Sequence, residues 1–330
     1  MIRFGLIGAG RIGKVHAKTI ASNPKAKLAY IADAMPRAAA DLAALYGAQV
    51  ASVEDIMKAK DVDAVLIGSP TGFHAEQIQM ASNHGKAIMC EKPVSMKVST
   101  IEETLKVVEK NKSTLMIGFN RRFDPSFAEL ESIIRRGDIG DVEMCTVISR
   151  DPAPPPAEYV KGSGGIFADM MIHDFDMARF LVGEEFVIVN ALGAALVDKA
   201  IGEAGDADTA AVQMQTASGK IAVITNSRRA TYGYDQRMEV HGSKGMVHAK
   251  NVHNTTVEVL SKWGYKSDPI QNFFLERYSA AYANELNTFI NAIETGNRDP
   301  KPNGFDGLQA QKLAEAATQS WKTGRPVKVS

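Results

Sequence analysis

Near the N-terminus an apolar run over residues 4–7 leads into Gly8-Ala9-Gly10-Arg11-Ile12-Gly13, and a helical pattern follows. Glycines at this spacing between a strand and a helix restrict the fold more than any other feature of the chain. The first permits a tight turn, the second lets backbone approach a bound group, and the third lets helix and strand pack closely. The turn also leaves free N–H groups at a helix N-terminus, whose positive dipole end favours an anion. A second apolar run, over 28–32, ends in Asp33, where an acidic side chain would accept hydrogen bonds from an adenosine ribose. These features point to a dinucleotide site built from Gly8, Gly10, Arg11, Ile12, Gly13 and Asp33. A 2′-phosphate would meet the Asp33 carboxylate, so NAD is expected over NADP. Arg37 opens the next helix and is either a phosphate contact or a solvated side chain.

The glycine turn begins an alternating pattern. Apolar runs at 4–7, 28–32, 64–67, 87–89 and 115–117 alternate with helical stretches at 13–22, 37–46, 73–83 and 100–111. Continuous apolar strands separated by helices imply a doubly wound parallel sheet covered on both faces. After residue 120 the pattern changes to longer, alternating, β-branched runs at 142–149, 186–192, 210–215 and 220–225. The last two are joined by Ala217-Ser218-Gly219, a plausible hairpin turn. Helical patterns follow at 274–295 and 307–323. The expected fold is α/β. It comprises an N-terminal Rossmann domain over 1–120 and a C-terminal α/β domain over 121–330 with an open, mostly antiparallel or mixed sheet. The site is expected where such domains meet.

The 330 residues carry 38 Lys+Arg and 38 Asp+Glu, a balance that gives no support for a nucleic-acid or anionic-membrane partner. No run of about 18 apolar residues suggests a membrane span. The cysteines, Cys90 and Cys145, form no framework, and with no signal-like N-terminus the cytoplasm is expected.

Several further segments carry side chains suited to chemistry. The 64–67 run ends in Gly68-Ser69-Pro70-Thr71 and then His74, a turn expected beside the cofactor. The 87–89 run ends in Cys90-Glu91-Lys92-Pro93, which would set Lys92 at the carboxyl edge of the sheet. At the domain crossover, Asn120 and Arg121 are suited to binding hydroxyls or to an ordinary salt-bridge cluster. Gly164-Gly165 precedes a segment expected to be helical. In it Asp169 and His173 would share a face, while Phe167, Met171, Phe175 and Ala178 form a core stripe. Metal catalysis is not expected, because no Cys/His cluster accompanies the Asp169/His173 pair.

Jointly these motifs resemble the Gfo/Idh/MocA oxidoreductase family over essentially the whole chain. The resemblance rests on the glycine turn with Asp33, Ser69-Pro70-Thr71 with His74, Glu91-Lys92-Pro93, and Gly-Gly followed by Asp169 and His173. Within the family the chain looks most like its inositol-oxidising members. The resemblance implies that Lys92, Asp169 and His173 form the catalytic group, and that Arg37, Ser69, Pro70, Thr71, His74, Glu91 and Lys92 line the cofactor. It also implies substrate contacts from Lys92, Asn120, Arg121, Asp151, Asp169, His173 and Tyr234, with Tyr232 close by. The implied activity is NAD-dependent oxidation of a secondary hydroxyl on a cyclic polyol, with myo-inositol foremost, by a homotetramer. Glucose, galactose, xylose or scyllo-inositol are alternative substrates, and a non-catalytic NAD-binding regulator is an alternative of another class. Whether His173 or Lys92 accepts the proton stays open at this stage.

Overall fold

The structure, a computed structural model, describes residues 1–329; Ser330, the last residue of the expected second domain, lies outside the described residues. The chain divides into two compact units, one of residues 1–120 with 281–311 and the other of residues 121–280 with 312 onward.

The first unit holds six strands: β1 (Ile2–Ile7), β2 (Ala26–Ala32), β3 (Gln49–Val50), β4 (Ala64–Ile67), β5 (Ala87–Glu91) and β6 (Leu115–Gly118). Their pairings are all parallel, in the order β3-β2-β1-β4-β5-β6. This is the Rossmann order, and its reversal beside β1 opens a crevice at the carboxyl ends of β1 and β4. Every residue of β4 is buried, as a strand covered on both faces requires. The connecting helices are α1 (Arg11–Ala21), α2 (Pro36–Tyr46), α3 (Val53–Lys58), α4 (His74–Asn83) and α5 (Val98–Lys110). Both residues of β3 are exposed, so this edge strand leaves no apolar signal in the sequence.

The division differs from a cut at residue 120, because the chain returns to the first unit late. There Phe289 packs on Phe4 with ring centroids 6.2 Å apart, and Tyr282 sets its edge on His16 at 5.5 Å. Burying a Phe such as Phe289 is worth roughly 1.5–3 kcal/mol, ample reason for the return. The returning segment also braces the loop after Lys92. Gln311 Nε2 donates to the Met96 carbonyl at 3.1 Å, and Gly307 lies against Val94.

The second unit opens on α6 (Pro125–Arg135), capped by Asp124, whose side chain accepts from the Ser126 and Phe127 amides. Its large sheet contains β7 (Val142–Arg150), β8 (Phe186–Ala194), β9 (Thr209–Thr216), β10 (Ile221–Ser227), β11 (Asp235–Gly242), β12 (Gly245–Ala249) and, near the C-terminus, a short strand at Val327–Lys328. The sheet is mixed: β7 and β10 pair in parallel and the remaining pairings are antiparallel. The β9–β10 hairpin turns through Ala217-Ser218-Gly219 as its sequence suggests.

The segment after Gly164-Gly165 differs from the expected continuous α-helix. Ile166–Met170 forms a π-helical turn, closed by the Met171 amide donating to the Ile166 carbonyl at 2.8 Å. A helix over Ile172–Val182 then follows. The wider turn inserts a residue, so the α-helical repeat does not relate Asp169 to His173. Gly165 is required at its start: φ is +78°, and a Cβ there would collide with the Asp206 carboxylate. The apolar stripe of Phe167, Met171, Phe175 and Ala178 is core, as expected.

Among the described residues no helix is long and apolar enough to cross a membrane, and no group of three or more His, Cys, Asp or Glu is placed to hold a metal ion.

Candidate functional site

In the first unit, β1 ends at the glycine turn and Gly10 caps α1. Gly8 has φ +103°, and a Cβ on it would strike the backbone of Gly68 and Ser69. A Cβ on Gly13 would run into the Gly8 carbonyl oxygen, whereas a Cβ on Gly10 would meet nothing within 4 Å. Gly8 and Gly13 are therefore glycines because the protein is packed against them. Gly10 is bare beside open space, at a helix N-terminus with no acidic residue in its first turn. A pyrophosphate fits such a cradle on both space and charge. Arg11 is exposed and Ile12 half-buried in the same turn.

The Asp33 carboxylate accepts from the Ala9 amide at 2.6 Å and from the Met35 amide at 2.7 Å. Each oxygen keeps a further lone pair, so the carboxylate can still receive ribose hydroxyls. The Arg37 side chain is 93% exposed and lies 3.8 Å from Asp41, which fits a solvated first-turn residue. With Lys14, Met35 and Tyr46 it borders an open groove.

These packing differences separate two glycine variants. Gly13→Ala is expected to destabilise the fold by about 1–3 kcal/mol through overpacking. Gly10→Ala should leave the melting temperature of the free protein unchanged and weaken NADH binding at least about tenfold, or ~1.4 kcal/mol. Thermal scans and a fluorescence titration with NADH check both.

The turn after β4 sits beside Gly8. Ser69 donates its hydroxyl to Gln77 at 2.6 Å, Pro70 is exposed and Thr71 half-buried. His74 is buried, and both its ring nitrogens face backbone carbonyls, Nδ1 that of Pro93 at 2.8 Å and Nε2 that of Ser69 at 2.7 Å. Its polar atoms thus serve the protein's own loops. Glu91 is similarly engaged: its carboxylate lies 2.7 Å from His16 Nε2 and folds over Gly118. Lys92 follows it, half-buried, and the Lys92–Pro93 peptide is cis. Asn120, the last residue of this part of the unit, is buried.

In the second unit the inner face of the sheet carries polar side chains where alternation alone implies core. Gln236 on β11, Ser149 on β7 and Asn226 on β10 are neighbours in register and all buried. Gln236 Nε2 donates to Ser149 Oγ at 3.0 Å, and Asn226 Nδ2 donates to Asp174 at 2.8 Å. Arg121 is buried on this row, paired with Asp174 and donating to Ser149 at 3.3 Å. Burial pushes the Asp174 carboxyl up, while Arg121 pulls it down. Arg121 therefore acts at least as the counter-ion of Asp174, the salt-bridge alternative left open by its sequence.

The second unit also carries Tyr234, Asp151, Asp169 and His173 of the expected substrate residues. Tyr234 is buried and edge-on to Tyr278, ring centroids 5.9 Å apart. Burial pushes its hydroxyl well above the usual range. Tyr232 is half exposed, and its hydroxyl donates to Asp235 at 2.6 Å and accepts from Arg150 at 2.8 Å, which leaves Tyr234 as the tyrosine of the polar row. Asp151, half-buried, is pushed up to about 6, first by burial; Arg228 and Arg121 oppose the shift. Asp169 accepts from the Tyr159 hydroxyl at 3.1 Å and lies 3.4 Å from the buried Arg228. His173 is half-buried at the second position of its helix.

Arg228, Tyr159, Asp174, Asn226 and Tyr278 are additions to the residues that the sequence singled out. The signal for Asn226 is the strand register, because a polar residue at an inward position means little until its neighbours across the sheet are known; the other four lie outside the strands and meet their partners only in the fold.

The family model of the NAD-binding Rossmann fold of the Gfo/Idh/MocA oxidoreductases matches residues 2–119, and that of the family's C-terminal alpha/beta domain matches residues 131–329. The chain belongs to the Gfo/Idh/MocA oxidoreductase family. It is 54% identical to an inositol 2-dehydrogenase of Rhizobium meliloti, covering 100% of this chain and 99% of that one. It is 42% identical to a myo-inositol 2-dehydrogenase of Thermotoga maritima, covering 99% and 98%. A crystal structure of scyllo-inositol dehydrogenase from Lactobacillus casei with NAD(H) and scyllo-inositol superposes with a TM-score of 0.93 at 34% identity, over 100% of this chain and 99% of that one.

Proposed function

We propose that this protein is an NAD-dependent inositol dehydrogenase that oxidises a ring hydroxyl of myo-inositol to the ketone, giving 2-keto-myo-inositol. The observation that carries this reading is the 54% identity, over the full length, to an inositol 2-dehydrogenase. The open cradle at Gly10 and the carboxylate of Asp33 suit the dinucleotide. When bound, NAD supplies the acceptor for the hydride that leaves the carbinol carbon.

The chain's own residues then have three tasks. His173 accepts the hydroxyl proton, as a neutral imidazole is suited to do. Lys92, as an ammonium, donates to the reacting oxygen and stabilises its developing negative charge. Asp169, held by Tyr159 and Arg228, orients the substrate through a neighbouring hydroxyl. Asp151, Tyr234 and Asn120 supply polar contacts to the remaining hydroxyls. Arg121 contributes through Asp174.

The protein is further proposed to work as a homotetramer in the cytoplasm. The outer face of the second sheet exposes Met144, Val187 and Ile221, apolar side chains that a subunit contact would cover. Both cysteines are free and buried, in keeping with a reducing compartment.

The test is NADH formation at 340 nm with myo-inositol, scyllo-inositol, glucose, galactose and xylose, each with NAD⁺ and NADP⁺. Turnover strongest with myo-inositol and NAD⁺ is expected. Turnover with scyllo-inositol or a sugar alone would keep the chemistry and replace the substrate. NAD binding without turnover on the panel would favour a regulator.

A further inference from the structure

The geometry points to His74 as a positioning residue that staples the turn beside the cofactor cradle to the loop that carries Lys92. This rests on the role given to Lys92 above.

The backbone contacts form a continuous line. Gly8, in the glycine turn, lies so close to Gly68 and Ser69 that no side chain fits between them. The Ser69 carbonyl is 2.7 Å from His74 Nε2, and the Pro93 carbonyl is 2.8 Å from His74 Nδ1. Pro93 is joined directly to Lys92. One buried ring therefore connects the two loops, which are separated by the whole of α4 and β5 in sequence. Gln77, one turn along α4, takes the Ser69 hydroxyl at 2.6 Å and reinforces the grip on that turn.

Both partners are carbonyl oxygens, which only accept, so the ring holds them as a donor, and the tautomer sets which nitrogen carries the proton. The buried ring fills the space between the two loops and fixes their separation whichever carbonyl takes the N–H.

Two measurements test this. Long-range ¹H–¹⁵N correlation on the wild-type protein with NAD bound is expected to show a His74 N–H hydrogen-bonded to a loop carbonyl and protected from exchange with solvent. A His74 N–H that exchanges freely with solvent would overturn the staple without touching the proposed activity. The second measurement is the kinetics of His74→Leu and His74→Gln. Leucine removes both ring nitrogens and is expected to lower kcat about 10- to 100-fold, since a small displacement of an acting group has effects of that size. The KM for myo-inositol should change much less. Glutamine keeps one donor and should recover part of kcat. A purely structural histidine would lower the melting temperature and leave kcat per folded molecule intact, which would overturn the proposal. If neither variant folds, the spectrum of the wild type decides. An inactive wild type on the whole substrate panel would sink the proposed activity instead.

Discussion

Replacing His173 by alanine is expected to lower kcat with myo-inositol by about 10²–10⁴-fold, the usual contribution of a positioned general base. NADH affinity should stay within about twofold, because the proposed cofactor cradle of Gly8, Gly10, Gly13 and Asp33 lies on other elements. A carbinol gives up its proton as hydride departs, and a neutral imidazole has a ring nitrogen lone pair that can take that proton. Lys92, as an ammonium, has no lone pair to offer and is suited to donate. Lys92→Met should then lower kcat as well, by removing the donor to the reacting oxygen. The two variants differ in their response to free imidazole, an added base. Imidazole should restore part of the rate of His173→Ala. It should leave Lys92→Met unchanged. A His173→Ala enzyme that keeps its rate would transfer the base to Lys92. His173→Asn is a useful companion, since it preserves a polar side chain at the second position of the helix and still lacks a basic nitrogen.

How far such a site can be read from the sequence depends on whether its geometry is local. The glycine turn is local: strand, turn and helix are consecutive, so Gly8, Gly10 and Gly13 show their separate roles before any tertiary contact is known. The parallel order of the first sheet follows for the same reason, from uninterrupted apolar runs such as β4. The polar row of the second unit is not local. Ser149, Asn226 and Gln236 lie on three strands and become neighbours only through register. The π turn is hidden for another reason: Ile166–Met170 has the apolar spacing of an α-helix, and nothing in that spacing marks the extra residue. Arg121 looks like a ligand for hydroxyls in the sequence because its partner Asp174 is 53 residues away. The late return of residues 281–311 escapes a linear division, since what brings it back is a pair of aromatic contacts, Phe289 on Phe4 and Tyr282 on His16.

The segment that returns also carries a large stability effect. Glu285, on the helix Ser279–Thr295, has no exposed surface, and neither carboxyl oxygen has a hydrogen-bond partner among the described residues. Burial, and then the nearby charge of Glu91, push its carboxyl well above the ordinary value of 4.5. It is therefore held neutral in the folded protein under conditions where the unfolded chain ionises it. The sign follows from proton counting. Above 4.5 the native state binds the extra proton, so stability is fully present below the unfolded value and declines as pH rises toward the folded one. Glu285→Met removes both the orphaned polar atoms and the titration while keeping a flexible side chain of similar length. It is expected to stabilise the fold by about 1–3 kcal/mol, the usual penalty of an unsatisfied buried polar group. The gain should be larger at pH 8 than at pH 5, by at most about 1.4 kcal/mol per pH unit. Glu285→Gln separates the two causes, because an amide stays polar but does not titrate. It should lose the pH slope and keep most of the hydrogen-bond deficit. Urea unfolding of the three proteins at both pH values reads the result. A wild type whose stability does not fall between pH 5 and pH 8 relative to Glu285→Met would mean that the carboxyl ionises freely in the fold. Glu285 and Glu91 would then share the site as two charges.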